Sequence, residues 1–519
     1  MYLTQSLHRS VQQHPERAAV RAGAIVRSYR QFADRVARLA GALQQLGMQP
    51  GDRVAMLALN SDRYMEYQFA VPWGGGALNP CNIRWSAAEI LYSLDDCEST
   101  ILFVDDHFKA MAEGFRGQAK TLREIVYCGS GEAPAGMHGY EALIAATAPV
   151  LDTGRRADDL AGVFYTGGTT GFPKGVMLSH TNMVSSGLAL HAEGTAPSGG
   201  CYLHAAPMFH LADMGIAAAH WIAGNTHSFV PAFNPEAVLQ AIERDRVTHV
   251  LLVPTMIQML VDHPAMKQGR DLGSLRSVIY GASPIAEAVL DRAMAALPGV
   301  EFTQAYGMTE LSPLATLNPP YFHTPEGRKR GKLRAAGRAS YCTEVRIVDA
   351  DDREVPRGTV GEVAVRGPNV MLGYWNKPEQ SADALRGGWM HTGDGAYMDE
   401  DGFIFIVDRM KDMIISGGEN IYSAEVENVL AQHPAVAACA VIGIPSEQWG
   451  EAVHAVVVLK PEASVTDAAL IEHCKSLIAH YKCPRSVVFA AQLPLSGAGK
   501  VLKTALREPF WKDRQRGVA

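Results

Sequence analysis

Segments of helical period alternate with short apolar runs along most of this chain, and that alternation restricts it to a few architectures. Apolar residues recur at helical spacing through Phe32, Val36, Leu39, Leu43 and Leu46; Pro50-Gly51-Asp52 then turns the chain into the strand-like run Val54-Ala55-Met56-Leu57-Ala58-Leu59. The same order returns at 87–94 followed by 99–104, and at 235–244 followed by 247–253. Short apolar strands between amphipathic helices predict an α/β fold with largely parallel sheets. Between about 337 and 374 the character changes: Val345-Arg346-Ile347-Val348 and Gly361-Glu362-Val363-Ala364-Val365 alternate with tight turns and predict a β-rich subdomain. A second break near Asp408 precedes a new α/β pattern, with helix 424–432, strands 436–442 and 452–459, and helix 467–480. This divides the chain into a large unit, 1–410, and a small one, 411–519.

At 519 residues, 47% hydrophobic and 19% charged, the chain has material for two or three cores. The net charge is -7 and no basic run exceeds Arg328-Lys329-Arg330, so nucleic acid is excluded as a partner and anionic ligands must be held by local groups. Residues 1–10 lack a basic stretch leading into an apolar core, and no apolar run approaches the roughly 18 residues of a membrane span. A cytoplasmic protein without stable membrane insertion is expected. Eight scattered cysteines without a close CxxC pair suggest neither a zinc site nor a disulfide framework.

The sharpest motif is Tyr165-Thr166-Gly167-Gly168-Thr169-Thr170-Gly171-Phe172-Pro173-Lys174-Gly175, directly after the strand-like 161–164. Glycines let backbone N–H groups point at an anion, and the hydroxyls and Lys174 add charge-assisted bonds. A Walker A loop is excluded, because Pro173 precedes the lysine and Gly175 follows it. Tyr306-Gly307-Met308-Thr309-Glu310 gathers an aromatic face, a hydroxyl and a carboxylate within five residues, a set able to stack on a base, hold a phosphate oxygen and ligate a hard cation. Taken alone it reads more readily as a glycine turn with a core tyrosine and a solvated glutamate. Asp394, between Gly393 and Gly395, would ordinarily be a turn residue, and Asp408-Arg409-Met410-Lys411-Asp412 a solvated charge run.

In this order the motifs resemble the ANL superfamily of acyl-CoA synthetases, peptide-synthetase adenylation domains and beetle luciferases, over nearly the whole chain. Relatives usually carry Ser where Gly167 stands. The resemblance implies an AMP-forming ligase acting through an acyl-adenylate, with ATP, Mg²⁺ and coenzyme A as co-substrates and a small carboxylic acid as the other partner; homodimerisation stays open. It assigns Thr166 through Gly171 and Lys174 to the ATP phosphates, and Gly281, Ala282 and Ser283 with Tyr306, Gly307 and Met308 to the adenine. Thr309 goes to the α-phosphate, Glu310 to Mg²⁺, Asp394 and Arg409 to the ribose. Lys411 becomes the hinge between the units, Gly417, Gly418 and Glu419 line the coenzyme A channel, and Lys500, in Ser496-Gly497-Ala498-Gly499-Lys500, is the catalytic lysine. His210, in Pro207-Met208-Phe209-His210, matches the acyl-pocket segment, although a core histidine remains the alternative. Amino-acid-activating domains tend to carry Asp near this point; Phe209-His210 supplies none, and the apolar stretch 214–230 suits an alkyl chain or ring. A fatty or other hydrophobic acid is the favoured substrate. An aryl or phenylpropanoid acid, and a stand-alone enzyme loading a carrier protein, are the alternatives; a non-catalytic relative and luciferase-type oxidation rank below them.

Overall fold

The computed structural model describes residues 1–166, 173–283, 285–409, 412–417, 419–496 and 500–512, without the side chains of Arg409 and Asn420. The predicted α/β class is what forms. One eight-stranded sheet has the spatial order Gly373–Tyr374, Lys174–Ser179, Leu160–Thr166, Ala77–Pro80, Arg53–Leu57, Ser99–Val104, Glu124–Tyr127, His138–Gly139. Its pairings are parallel from Leu160–Thr166 onward and antiparallel at the 174–179 edge. A nine-stranded sheet runs Arg338–Ala339, Thr316–Asn318, Glu301–Tyr306, Ser277–Gly281, His249–Leu251, Cys201–His204, Thr226–Phe229, Ala18–Ala22, Ile25–Ser28, again parallel in the middle.

The helices His180–Ala192 and Leu211–Ala223 pack against each other so closely that a Cβ on Gly187 would lie 3.0 Å from that of Ala218. Both helices and both large sheets contribute to one apolar cluster, and these helices are correspondingly buried around most of their circumference. The first begins at a capping box, Ser179 with Asn182; the second ends at Gly224, whose left-handed backbone (φ 67°) suits glycine.

The β-rich segment expected between about 337 and 374 supplies Glu344–Val348 and Gly361–Arg366 to a four-stranded antiparallel sheet that extends beyond it to Met390–Met398 and Ile404–Arg409. A separate five-stranded sheet draws all its strands from 414–489. Several predicted elements differ in extent, three of them with a local cause or consequence. The strand expected at 247–253 narrows to His249–Leu251 because Val253 is already the N-cap of a helix opening at Pro254. The helix expected to reach 480 stops at Lys475, and a 3-10 turn follows at His480–Lys482. The strand expected to end at 442 continues to Ser446, paired throughout with Gly450–Leu459.

Candidate active site

Ligand sites in parallel sheets form beyond the carboxyl ends of the strands, and the sequence motifs converge there. Strands Ser277–Gly281 and Glu301–Tyr306 lie side by side with Gly281 opposite Ala305. A Cβ on Gly281 would come within 2.1 Å of the Ala305 carbonyl, so only glycine permits this approach. Ala282 then adopts φ +68°, turning the chain outward and leaving Ala282 and Ser283 partly exposed. The neighbouring strand ends at Tyr306; a Cβ on Gly307 would strike the Pro313 carbonyl at 1.9 Å. Met308 caps the short Thr309–Leu311 turn, which lowers Glu310 into the floor while Thr309 stays partly exposed.

Two carboxylates form that floor. Glu310 is buried and gripped by a segment of the other large sheet: Tyr374 O–H donates to its Oε1 (2.9 Å) and Met371 N–H to its carbonyl (2.9 Å). Lys174 Nζ sits 5.0 Å from the Tyr374 ring centroid, so one tyrosine links the cation of the glycine-rich segment to the buried carboxylate. Burial, then the Glu310 charge, push the Tyr374 phenol far above its ordinary range; it stays a donor. The second carboxylate, Asp394, accepts from Tyr306 O–H at 2.8 Å and faces Arg409 in the strand register. Its turn is set by Glu362, which accepts from Gly393 N–H (2.9 Å) and pairs with His391 (2.9 Å).

Thr166 and Lys174 pair across two antiparallel strands, so the glycine-rich segment joins strand to strand rather than strand to helix. Gly167, Gly168, Thr169, Thr170 and Gly171 lie outside the described residues, as do the Arg409 side chain, Lys411 and Gly418. Gly417 and Glu419 are exposed, on the hairpin between Ile414–Ser416 and Glu419–Ile421, where Gly417 N–H donates to the Trp449 carbonyl.

His210 N-caps the helix Leu211–Ala223, its Nδ1 accepting from Ala212 N–H at 3.2 Å. Burial first, then the positive charge of Lys500, bring its pKa from 6.5 down to about 4. The ring is therefore neutral near pH 7, with its proton on Nε2 and that nitrogen a donor. The influence of Lys500 also means that the small lobe carries this lysine to the His210 side of the cleft. Its segment is closed by Ser496 N–H to the Lys500 carbonyl (2.7 Å) and held to the large lobe by Arg84, which donates to the Ser496 carbonyl at 3.0 Å.

The structure links Lys174 to Glu310 through Tyr374, Tyr306 to Asp394, and His210 to the charge of Lys500; sequence reasoning missed Tyr374, Glu362 and Arg84, which sit in no short motif. It also passed over Asp213. This carboxylate lies one helical turn beyond His210 but is fully buried and engaged by Tyr202 and His204, which keeps it from acting as an amine-binding group.

A fold with two large sheets, a small lobe bearing a lysine, and a cleft lined by an aromatic residue and two buried carboxylates is that of an adenylate-forming ligase. The AMP-binding enzyme profile matches residues 7–375 and the AMP-binding enzyme C-terminal domain profile matches 425–500. A feruloyl-CoA synthase from Amycolatopsis sp is 40% identical over 460 residues, 88% of each chain; the fatty acid–[acyl-carrier-protein] ligase ScoC of Streptomyces coeruleorubidus is 36% identical over 89% of this chain and 87% of its own. ATP-bound MatB from Rhodopseudomonas palustris superposes with TM-score 0.87 at 31% identity, covering 99% of both chains; apo MatB gives 0.77. The chain belongs to the AMP-binding enzyme family, within the ANL adenylating superfamily. It is an AMP-forming carboxylate–CoA ligase with ATP and coenzyme A as its co-substrates.

Proposed function

We propose that this ligase activates a hydrophobic carboxylic acid, with aryl acids ahead of straight-chain fatty acids, and transfers the acyl group to coenzyme A in the cytoplasm. The observation that carries the reading is His210: a neutral N–H donor at the start of the largely apolar helix Leu211–Ala223, whose carboxylate, Asp213, is already compensated inside the protein. Such a wall suits an acid without an amine, and the feruloyl-CoA synthases among the relatives support the aryl preference.

In the first step the acid carboxylate attacks the α-phosphate of ATP and pyrophosphate leaves. Catalysis here is positioning and neutralisation of phosphoryl charge. Tyr306 and the Gly281–Ser283 turn would flank the adenine, Asp394 and Arg409 the ribose, Lys174 and the glycine-rich segment the phosphates. His210 Nε2–H and Lys500 would face the reacting carboxylate and α-phosphate, beside Thr309. Glu310 is a hard, buried carboxylate oriented by Tyr374, and no group of three or more potential ligands occurs among the described residues. That donor set fits Mg²⁺ held by one carboxylate together with substrate phosphates; the ion would supply charge neutralisation at the polyphosphate. In the second step the small lobe, 411–519, would turn about Lys411 and present Gly417, Gly418 and Glu419 to the pantetheine arm.

A panel of ferulate, indole-3-acetate, benzoate and C6–C16 fatty acids, scored by CoA-dependent AMP release, tests the acid. The fastest turnover is expected among the aryl acids; turnover of fatty acids alone overturns that preference. Lys500→Ala should slow acyl-AMP formation roughly a hundredfold and leave thioester formation from supplied acyl-AMP close to wild type. Equal slowing of both steps would remove Lys500 from its role. The similarity to ScoC supports one second reading, a carrier-protein acceptor; parallel assays with coenzyme A and a holo-carrier protein separate the two.

A further inference from the structure

Beneath the helix Leu211–Ala223 lies a buried polar network that the proposed chemistry does not use. Asp213 Oδ1 accepts from Tyr202 O–H at 2.9 Å and Oδ2 from His204 Nδ1–H at 2.6 Å; His204 Nε2 is hydrogen-bonded to His227 Nδ1 at 3.0 Å. All four side chains are at 0% exposure. Phe229 stacks on the far side of His204, with ring centroids 4.9 Å apart, and His220 stacks on Tyr202 at 4.7 Å. A carboxylate removed from water is costly unless paired and hydrogen-bonded, yet apolar side chains would fill this space between strands Cys201–His204, Thr226–Phe229 and the helix. What the polar set provides is direction. A carboxylate with two fixed donors admits one placement of the first helical turn, where apolar packing tolerates small slides.

That turn carries His210. Asp213 N–H donates to the His210 carbonyl at 3.1 Å, so the peptide of His210 is tied to the residue the network holds. On the other side of the connecting segment, Asn60 clamps the chain: its Nδ2 donates to the carbonyls of His204 (3.2 Å) and Ala206 (2.9 Å), and its Oδ1 accepts from Met208 N–H (2.8 Å). The segment 205–210 is thus pinned at both ends. The carboxylate also lies in the first turn of its helix, where the helix dipole favours negative charge.

We propose that Asp213 is a positioning residue for His210, acting through Tyr202, His204 and His227 to register the helix so that the His210 imidazole meets the acyl carboxylate. The proposal rests on the reading of His210 as an acyl-site residue. The test is a double-mutant cycle in the full chain, Asp213→Asn with His210→Ala. It is read as pyrophosphate exchange into ATP with ferulate, and with decanoate if ferulate is inert, alongside a thermal melt of every variant.

Asp213→Asn alone should lower the exchange kcat roughly tenfold to a hundredfold with the KM for ATP within about twofold of wild type. In the His210→Ala background the same change should have no further effect, because residues that act as a unit are not additive. Additive losses, or a wild-type rate for Asp213→Asn, overturn the proposal. A wild-type rate for His210→Ala is a different outcome: it removes His210 from the acyl site. Should Asp213→Asn fail to fold, Tyr202→Phe, which removes one bond, and His204→Gln, which disturbs two, take its place in the cycle. Spectra of ¹⁵N-histidine-labelled protein supply a readout that needs no acid. His210 should be the Nε2–H tautomer in the wild type and mix tautomers when the network is cut; an unchanged tautomer in every network variant overturns the proposal.

Discussion

Tyr374 illustrates how a residue outside every recognisable motif can hold a site together. Its hydroxyl fixes a carboxylate 64 positions away, and its ring receives the Lys174 ammonium. A hydrogen bond to a charged group contributes about 1.5–3 kcal/mol, so Tyr374→Phe should raise the KM for MgATP roughly tenfold and leave kcat for the bound complex nearly unchanged. Titrations of ATP at fixed and varied Mg²⁺ measure this; an unaltered KM would mean that Glu310 is oriented without the tyrosine. Lys174 could be singled out from sequence because it lies in a dense local cluster of glycine and hydroxyl residues, whereas Glu310 and Asp394 were assigned only through the family resemblance of their motifs. Tyr374, in Gly373-Tyr374-Trp375, has the composition of an ordinary core segment, and its role exists only through a contact between two sheets.

At the scale of elements, the cleft depends on backbones approaching closer than side chains allow. Gly281→Ala would put a methyl carbon 2.1 Å from the Ala305 carbonyl, a backbone atom that cannot swing aside. The two strands must separate. We expect a loss of about 1–3 kcal/mol in stability together with weaker nucleotide binding, measured by thermal melts and ATP titration; full retention of both would show that the strands yield without moving the site. The strands and helices themselves were legible, since the 3.6- and 2-residue periods mark them directly. Their ends were less so: Val253 continues an apolar run yet serves as a helix cap, because the following proline, not hydropathy, decides the boundary. The stretch 214–230 was legible as apolar, but not that it begins in the helix Leu211–Ala223. Asp213 and His220 sit on its buried side, and a polar residue facing inward leaves no mark on a periodicity count.

For the whole molecule, buried histidines set an acid limit. His180, His210, His249 and His323 are each brought down to about 4, chiefly by burial, and burial likewise brings His220 and His227 well below 6.5. An unfolded chain takes up these protons near pH 6.5, the folded one only near 4 or below. The stability of the neutral forms is therefore complete above pH 6.5 and falls as the pH drops toward 4, by up to about 3 kcal/mol for each group. The melting temperature should be flat from pH 7 to 9 and fall by about 10 °C or more between pH 6.5 and 4.5; an even slope across the whole range would count against neutral buried histidines. The lobes make a separate prediction. Lys411→Pro restrains φ at the proposed hinge and should spare pyrophosphate exchange while abolishing thioester formation; normal overall turnover would place the pivot elsewhere.

The two large sheets are laced together by the course of the chain. Residues 18–28 enter the nine-stranded sheet, 53–179 build the other, 201–339 return to the first, and Gly373–Tyr374 closes the edge of the second. Every cut between these stretches divides at least one of the two sheets. The five-stranded sheet, by contrast, takes every strand from one uninterrupted stretch. Recombination between relatives should therefore succeed at a single junction just beyond Arg409 and fail at junctions within the large lobe. Chosen acid and conversion rate would then be inherited separately, the first with the laced sheets and the second with the small lobe that brings Lys500 to them.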